Sequence, residues 1–300
     1  MKDMSNSRVP FRMSAVPERS APSAAQRLLV HVVVNVEHWL YDQPMPRAVL
    51  PPPHGRETVP DVCNFSWAEY GIRCGLPRLI ELFRSYRIPV SASVNLDVLT
   101  VYADAAHAMR DAGWDFIGHG LRQRAVIPEE EPAMIERVVT ELGAFAGRPI
   151  TGWLSPGLRQ SFDSIDLLAR NGITHCLDWG IDDLPCWMNS DSGAIMAMPY
   201  SMELNDSAVF AVQNHEAADF DRRIADTLDF FRCSRVAPDT AVIGIGLHPH
   251  LIAVPHRIVH LERALQRLQR TAGVEFTTAR DIAAWFEARH PAPAVAPVAM

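Results

Sequence analysis

Residues 31–39, HVVVNVEHW, decide how the rest of the chain is read. Val32, Val33 and Val34 are three β-branched residues in a row, which favour pleated backbone and pack well in a strand covered on both faces. Asn35, Glu37 and His38 arrive where the apolar run stops, so an amide, a carboxylate and an imidazole are delivered to the carboxyl end of a core strand. Sites of parallel α/β sheets and barrels are built there, because the strand fixes the backbone while the following loop varies. Taken alone, the stretch is equally a strand end wetted by solvent.

Working outward, strand and helix patterns alternate. The proline-rich residues 41–62 fit neither helix nor central strand and read as a long ordered loop or a lid. A helical face over 76–87 ends at Pro89, and a strand over 90–96 closes on Asn95 and Asp97. A short helix over 103–112 leads to a strand over 114–118, which delivers His119. Helix 129–146 opens with three acidic residues, favourable at a helix amino terminus. Strand 150–154 runs into Ser155, Pro156 and Gly157; helix 164–171 and strand 173–177 lead to Asp178 and Trp179. Extended pieces over 194–199 and 208–212 flank Glu203, Asn205 and Asp206. Helix 219–233, strand 241–247, helix 257–271, strand 274–277 and helix 279–289 finish the pattern, which predicts a parallel (β/α) barrel as one domain. Residues 1–27 read as a flexible arm, 28–289 as the catalytic domain and 290–300 as a flexible tail.

The 300 residues are 48% apolar, enough for one large core. A net charge of −7 and the lack of a basic run argue against nucleic acid. Five cysteines form no CxxC pair, so neither a disulfide framework nor a thiolate zinc site is expected. With no secretory leader pattern and no apolar run long enough to span a bilayer, the expected home is the cytoplasm, away from membranes.

Consecutive strands end in chemistry: Glu37 and His38, then His119, then Ser155 to Gly157, then Asp178 and Trp179, then His248 and His250. A barrel gathers such ends at one mouth. Their order resembles the motif order of the polysaccharide deacetylase (NodB) superfamily. The segments GHGLRQ, GWLSPGL, LDWGIDDLP, MPYSMELND and IGLHPHL are similar to its allantoinase-like and cyclic imide hydrolase-like branch. The resemblance spans residues 28–288 and implies a deformed (β/α) barrel.

The same resemblance assigns roles. Glu37 falls at the family's catalytic carboxylate. His38 stands where the family has a metal-binding Asp, His119 matches the first His of its His-x-x-x-His, and Gln123 replaces the second. The ligand set thus becomes His38, His119 and Gln123, without a carboxylate and with a neutral amide, a poor zinc donor. The third motif lacks its arginine, since Leu154 precedes Ser155 and Pro156. His248 matches the terminal Leu-x-x-His element, and His250 shares a face with it if the chain is extended.

These assignments point to a hydrolase of non-peptide C–N bonds in a small cyclic amide, either a cyclic imide or an allantoin-type ureide, with no cofactor. Glu37, His119 and His248 are the catalytic candidates. His38, Trp39, Gln123, Ser155, Pro156, Gly157, Asp178, Trp179, Glu203, Asn205 and His250 are the substrate-binding candidates, with Asp178 read as orienting a histidine or capping a turn. A metal-dependent carbohydrate N-deacetylase holding zinc or another divalent ion on His38, His119 and Gln123 is the first alternative. A non-catalytic small-molecule-binding barrel is the second. The resemblance also implies a homo-oligomer, often a tetramer.

Overall fold

The strand that opens the barrel, β1 (Arg27–Val36), is buried from Leu28 onward because it is paired along both edges. One edge meets β8 (Thr240–Leu247) in parallel register from Arg27–Thr240 to Val34–Leu247. The opposite edge is shared, with β9 (Val274–Thr277) alongside Leu28–His31 and β2 (Val90–Val94) alongside Val32–Val36. A valine run suits this place, since no face or edge is left to water.

From β2 the sheet continues in parallel through β3 (Asp115–Gly118), β4 (Gly152–Trp153), β5 (His175–Cys176) and β7 (Gly193–Ala197). It ends on β6 (Cys186–Ser190), which pairs antiparallel with β7. Among the described residues, which are 6, 8–9, 11–14, 27–52 and 55–293 of this computed structural model, no ladder joins β6 to β8. The sheet is therefore a curled, incompletely closed barrel, as the motif order leads one to expect.

Helices cover its outer face: α1 (Val62–Tyr70), α2 (Leu76–Tyr86), α3 (Val98–Val101), α4 (Ala103–Asp111), α5 (Glu131–Ala146), α6 (Ser164–Arg170), α7 (Ala217–Cys233) and α8 (Pro255–Arg270), whereas α9 (Ala279–Arg289) packs Ala279, Ile282, Ala283 and Phe286 against the inner face. Two apolar clusters show which way each strand residue points. Val30, Val32, Val34 and Val36 join the cluster beneath the helices, with Phe116, Trp153, Cys176, Ile245 and Leu247. Leu29 and Val33 join the inner cluster, with Ile117, Leu154, Leu177 and Val242. Alternation with period two then sends Asn35 and Glu37 inward with Val33, His119 inward with Ile117, and His248 inward with Val242. The same rule sends His38 the other way.

Three sequence expectations need correcting. Residues 62–75 are helical, not the end of a loop: Asp61 caps α1 by accepting from the Asn64 N–H at 3.1 Å, and the π-helical turn Gly71–Gly75 carries α1 into α2. Gly71 is required there, because a side chain would overlap the backbone of His250. Residues 207–212, SAVFAV, form a π-helical turn and not an extended piece, since burying Val209 and Phe210 outweighs their strand propensity. Finally, β6 pairs with β7 in a hairpin that the polar CWMNS pattern did not signal.

Within the stretch read as a flexible arm, Arg8 is anchored, its guanidinium on Asp166 at 2.7 and 2.5 Å and on the Phe162 carbonyl at 2.8 Å. Residues 15–26 of that arm, and 294–300 of the tail, lie outside the described residues. No helix among the described residues is long and apolar enough to cross a membrane.

Candidate active site

The ends of β1, β3, β4 and β8 open into a cavity of about 870 Å³, a size suited to a small molecule. Its wall includes Glu37, Trp39, His119, Gln123, His248 and His250. Ser155, Pro156, Gly157 and Asn205 also line it, as do Pro44, Pro46 and Arg47 of the proline-rich loop. Arg47 is half-buried and makes no ion pair among the described residues.

Glu37 sits at the floor with its two carboxylate oxygens in different employment. Oε2 accepts from the Trp39 indole N–H at 2.7 Å, which fixes the plane of the group. Oε1 faces His248 Nε2 at 3.6 Å and His119 Nε2 at 3.8 Å. Both gaps exceed a hydrogen bond. Burial alone would push the Glu37 carboxyl up. The facing His119 ring and the charge of His248, with a smaller part from His250, outweigh it and hold the group at about 2.

The two histidines are backed differently. His119 Nδ1 lies 2.5 Å from the Leu154 carbonyl oxygen, which can only accept, so Nδ1 carries the proton. In the neutral ring Nε2 is then a bare lone pair, buried and without a hydrogen-bond partner. His248 Nδ1 lies 2.6 Å from Asp206 Oδ1, and the His248 backbone N–H donates to Asp206 Oδ2 at 2.7 Å. Burial lowers the His248 pKa, but the charge and hydrogen bond of fully buried Asp206, and then Glu37, raise it above the ordinary imidazole value. His250 has no such partner. Wedged edge-on between Trp39 and Trp67, at 5.2 and 4.7 Å between ring centroids, it is pushed down to about 3 by burial and by the charge of His248, so it stays neutral.

Four expected binding residues lie outside this wall. His38, turned outward by strand alternation, presents Nδ1 to Asp97 at 3.6 Å and its ring edge-on to Tyr102. Asp178 orients no histidine; it accepts from the Ser155 N–H at 2.8 Å and from Gln160 Nε2 at 2.5 Å, so it braces the Ser155–Gly157 turn from behind. Trp179 donates to Gln160 Oε1 at 2.9 Å in the same brace. Glu203 is exposed and pairs with Arg223 at 3.0 Å.

The histidine-orienting carboxylate is Asp206, two positions after a buried Leu in the quoted MPYSMELND segment. Sequence reasoning also passed over Asn95. Its side chain accepts from the His38 N–H at 2.9 Å and donates to the His119 carbonyl, tying the loop after β1 to the one after β3. It was visible only as the polar residue on which β2 closes.

A divalent ion fits the described donors poorly. Of His38, His119 and Gln123, only His119 and Gln123 face the cavity, because His38 is committed to the Asp97 side. Among the described residues no group of three or more His, Cys, Asp or Glu is arranged to hold a metal. The remaining pair, one imidazole and one amide, lacks the carboxylate that such an ion favours.

No family model matches the chain. A Schizosaccharomyces pombe protein assigned to the polysaccharide deacetylases is 24% identical over 255 residues, covering 74% of this chain and 76% of that protein. Among solved structures, Puue allantoinase superposes with a TM-score of 0.79 at 24% identity, over 94% of this chain and 99% of that one. A Pseudomonas aeruginosa PAO1 structure assigned to the polysaccharide deacetylases superposes with a TM-score of 0.76 at 24% identity, over 89% and 93%. The chain thus has the deformed (β/α) barrel that these deacetylase and allantoinase structures share.

Proposed function

We propose that this protein is a hydrolase of the ring C–N bond of small cyclic amides, either cyclic imides or allantoin-type ureides. One observation carries the reading: a single oxygen of Glu37 is flanked by two imidazole Nε2 atoms with different backing, a carbonyl behind one ring and a buried carboxylate behind the other. His119, with Nδ1–H spent on a carbonyl, presents a lone pair. His248, held on Asp206, presents an N–H. That places a candidate base and a candidate acid on either side of one carboxylate oxygen, in a cavity that admits a small molecule.

In the proposed reaction, a water held by Glu37 Oε1 and His119 Nε2 attacks a ring carbonyl carbon. A new C–O bond forms, the carbonyl π electrons move onto oxygen, and the water's proton passes to the Glu37 and His119 pair. When the carbonyl re-forms, the C–N bond breaks and the ring nitrogen takes its proton from His248 Nε2. The product is a chain with a carboxyl group at one end and an amide or ureide nitrogen at the other. Glu37, held at about 2, is a weak base by itself, and the neighbouring His119 Nε2 offers the water's proton a second acceptor.

The likeness to named deacetylases favours C–N hydrolysis in general. The ring substrate is favoured over an N-acetyl sugar by the neutral donor set and by the likeness to an allantoinase. A panel of succinimide, phthalimide, hydantoin, allantoin and N-acetylglucosamine oligomers tests this, assayed with chelator and with zinc added back. Ring opening that survives the chelator is expected, and Glu37→Gln should lower kcat on the order of 10²- to 10⁴-fold. Turnover of N-acetyl sugars alone, dependent on zinc, would assign the deacetylase instead. Glu37→Gln turning over rings at the wild-type rate would remove the carboxylate from the mechanism.

A further inference from the structure

Tyr200 lies between the end of β7 and the Asn205–Asp206 segment, and its ring packs in the inner cluster with 4% of its surface exposed. Its hydroxyl oxygen is 3.0 Å from Asn35 Nδ2 and 3.0 Å from Asn205 Nδ2. Neither amide can be turned round. Asn35 Nδ2 also donates to the Leu247 carbonyl at 3.2 Å, which accepts only. Asn205 Oδ1 accepts from the Ser207 backbone N–H at 2.9 Å, which donates only. Both side chains therefore aim N–H groups at the phenol, and between them they occupy the two lone pairs of its oxygen.

The phenol proton has no such partner. Among the described residues no acceptor lies within hydrogen-bond reach of it, yet Tyr200, Asn35 and Asn205 all line the cavity beside Glu37. The chain makes room for this arrangement, since a side chain at Gly246 on β8 would lie 2.5 Å from the hydroxyl and 2.7 Å from Asn205 Nδ2. Burial, then the charges of Asp206 and Glu37, raise the phenol pKa despite the Asn35 and Asn205 hydrogen bonds, so the proton stays on. A buried hydroxyl with both lone pairs taken is a stronger donor than a free phenol, because each accepted hydrogen bond polarises its O–H.

We infer that Tyr200 is a further catalytic residue, whose O–H holds the carbonyl oxygen of the substrate and the oxyanion that oxygen becomes. The inference rests on the hydrolase reading above. It divides the labour left open there: His248 serves the leaving nitrogen, and Tyr200, set by two amides, serves the oxygen. A preorganised donor of this kind needs no reorientation as charge develops.

Tyr200→Phe is expected to lower kcat on the preferred ring about 10²- to 10³-fold, with a much smaller change in KM. Because that variant strands two amide donors, a second one keeps the test sharp. Replacing Tyr200 with 3-fluorotyrosine restores the hydroxyl with a more acidic proton, so it should recover most of the turnover and move the bound carbonyl carbon of ¹³C-labelled succinimide further downfield than the wild-type phenol does. A purely structural tyrosine would leave that resonance where the wild type has it, and such a result would overturn the assignment.

A binding measurement separates this inference from the hydrolase reading. In a Glu37→Gln background, the carbonyl carbon of ¹³C-labelled succinimide should move downfield on binding, and adding Tyr200→Phe should abolish the movement. A protein that shifts the carbonyl through Tyr200 but opens no ring keeps the donor and loses the hydrolase reading. A protein that opens rings with kcat and the carbonyl resonance both indifferent to Tyr200→Phe keeps the hydrolase and loses the donor.

Discussion

His248 and His119 face one oxygen of Glu37 from opposite edges of β1, and the two sides of the barrel that carry them are built differently. On the β8 side, eight residue pairs tie β8 to β1 before His248 is reached, and the histidine is backed by a fully buried carboxylate. On the other side, β4 and β5 contribute two residues each, and His119 is backed by the carbonyl of Leu154. The difference teaches why two chemically identical side chains can take complementary roles. A carboxylate behind the ring stabilises imidazolium, whereas a carbonyl fixes the neutral tautomer without adding charge.

Removing the carboxylate should make the two histidines alike. Asp206→Asn leaves an acceptor near His248 but takes away the charge that raises its pKa, so burial, which lowers it, dominates. His248 acts as the proposed acid in its protonated form, and activity is lost as pH rises through its pKa. The alkaline limb of kcat/KM should therefore lie above the ordinary imidazole value in the wild type and move to lower pH in Asp206→Asn. A fall in kcat on the order of 10²-fold near neutral pH should accompany the shift. An unmoved limb would mean that the backing does not distinguish the two rings.

A smaller break comes from the close packing on the β8 side. Gly246→Ala places a methyl group where the Tyr200 hydroxyl and Asn205 now sit. Overpacking of this kind costs about 1–3 kcal/mol, measurable by urea denaturation. Turnover should fall with it, because Tyr200 and Asn205 must shift. Wild-type stability and turnover in this variant would show that the inner face of β8 has slack, and that its rigidity is not what sets the site.

Much of this was legible in the sequence through alternation. The register of HVVVNVEHW sends Asn35 and Glu37 inward with Val33, and the same counting sends His119 and His248 inward from Ile117 and Val242. Counting also turns His38 outward, where it meets Asp97, although the motif resemblance had placed it at a ligand position. Position in a motif and direction of a side chain are separate facts, and only the second depends on the pleat. What could not be read is whatever depends on segments crossing the barrel from elsewhere. Tyr200 and Asp206 reach the site because the stretch after β7 folds back against β8, beside a glycine whose role shows only once that neighbour is present. Sequence alone offers Asp178, and not Asp206, as the acid that orients a histidine, although both are acids at chain reversals. Three-dimensional proximity alone decides between them.

The side with short strands gains support from further away in sequence, and this yields the smallest effect expected here. Arg8 grips Asp166 at the start of α6 with two guanidinium nitrogens, and its own carbonyl accepts from the Asn189 N–H of β6 at 2.8 Å. Asp166 in turn accepts from the Asp191 N–H at 2.7 Å. One arginine thus staples a helix to the β6–β7 hairpin, whose own ladder to β5 is two residue pairs long. The pair is largely shielded, with 21% and 8% of the side chains exposed, so Arg8→Gln should lower stability by about 1 kcal/mol. Burial raises the Asp166 pKa, but the hydrogen bond and charge of Arg8, with the Asp191 N–H, lower it by more. A carboxyl depressed in the folded state contributes its stability in full above the unfolded value, near 3.9, and loses it as pH falls through the folded value. The gap between wild type and Arg8→Gln in urea denaturation should accordingly be full at neutral pH and close in strong acid. A gap that persists there would trace the effect to packing of the arginine stem instead of the ion pair, and a gap absent at neutral pH would leave the short-strand side to stand on its ladder alone.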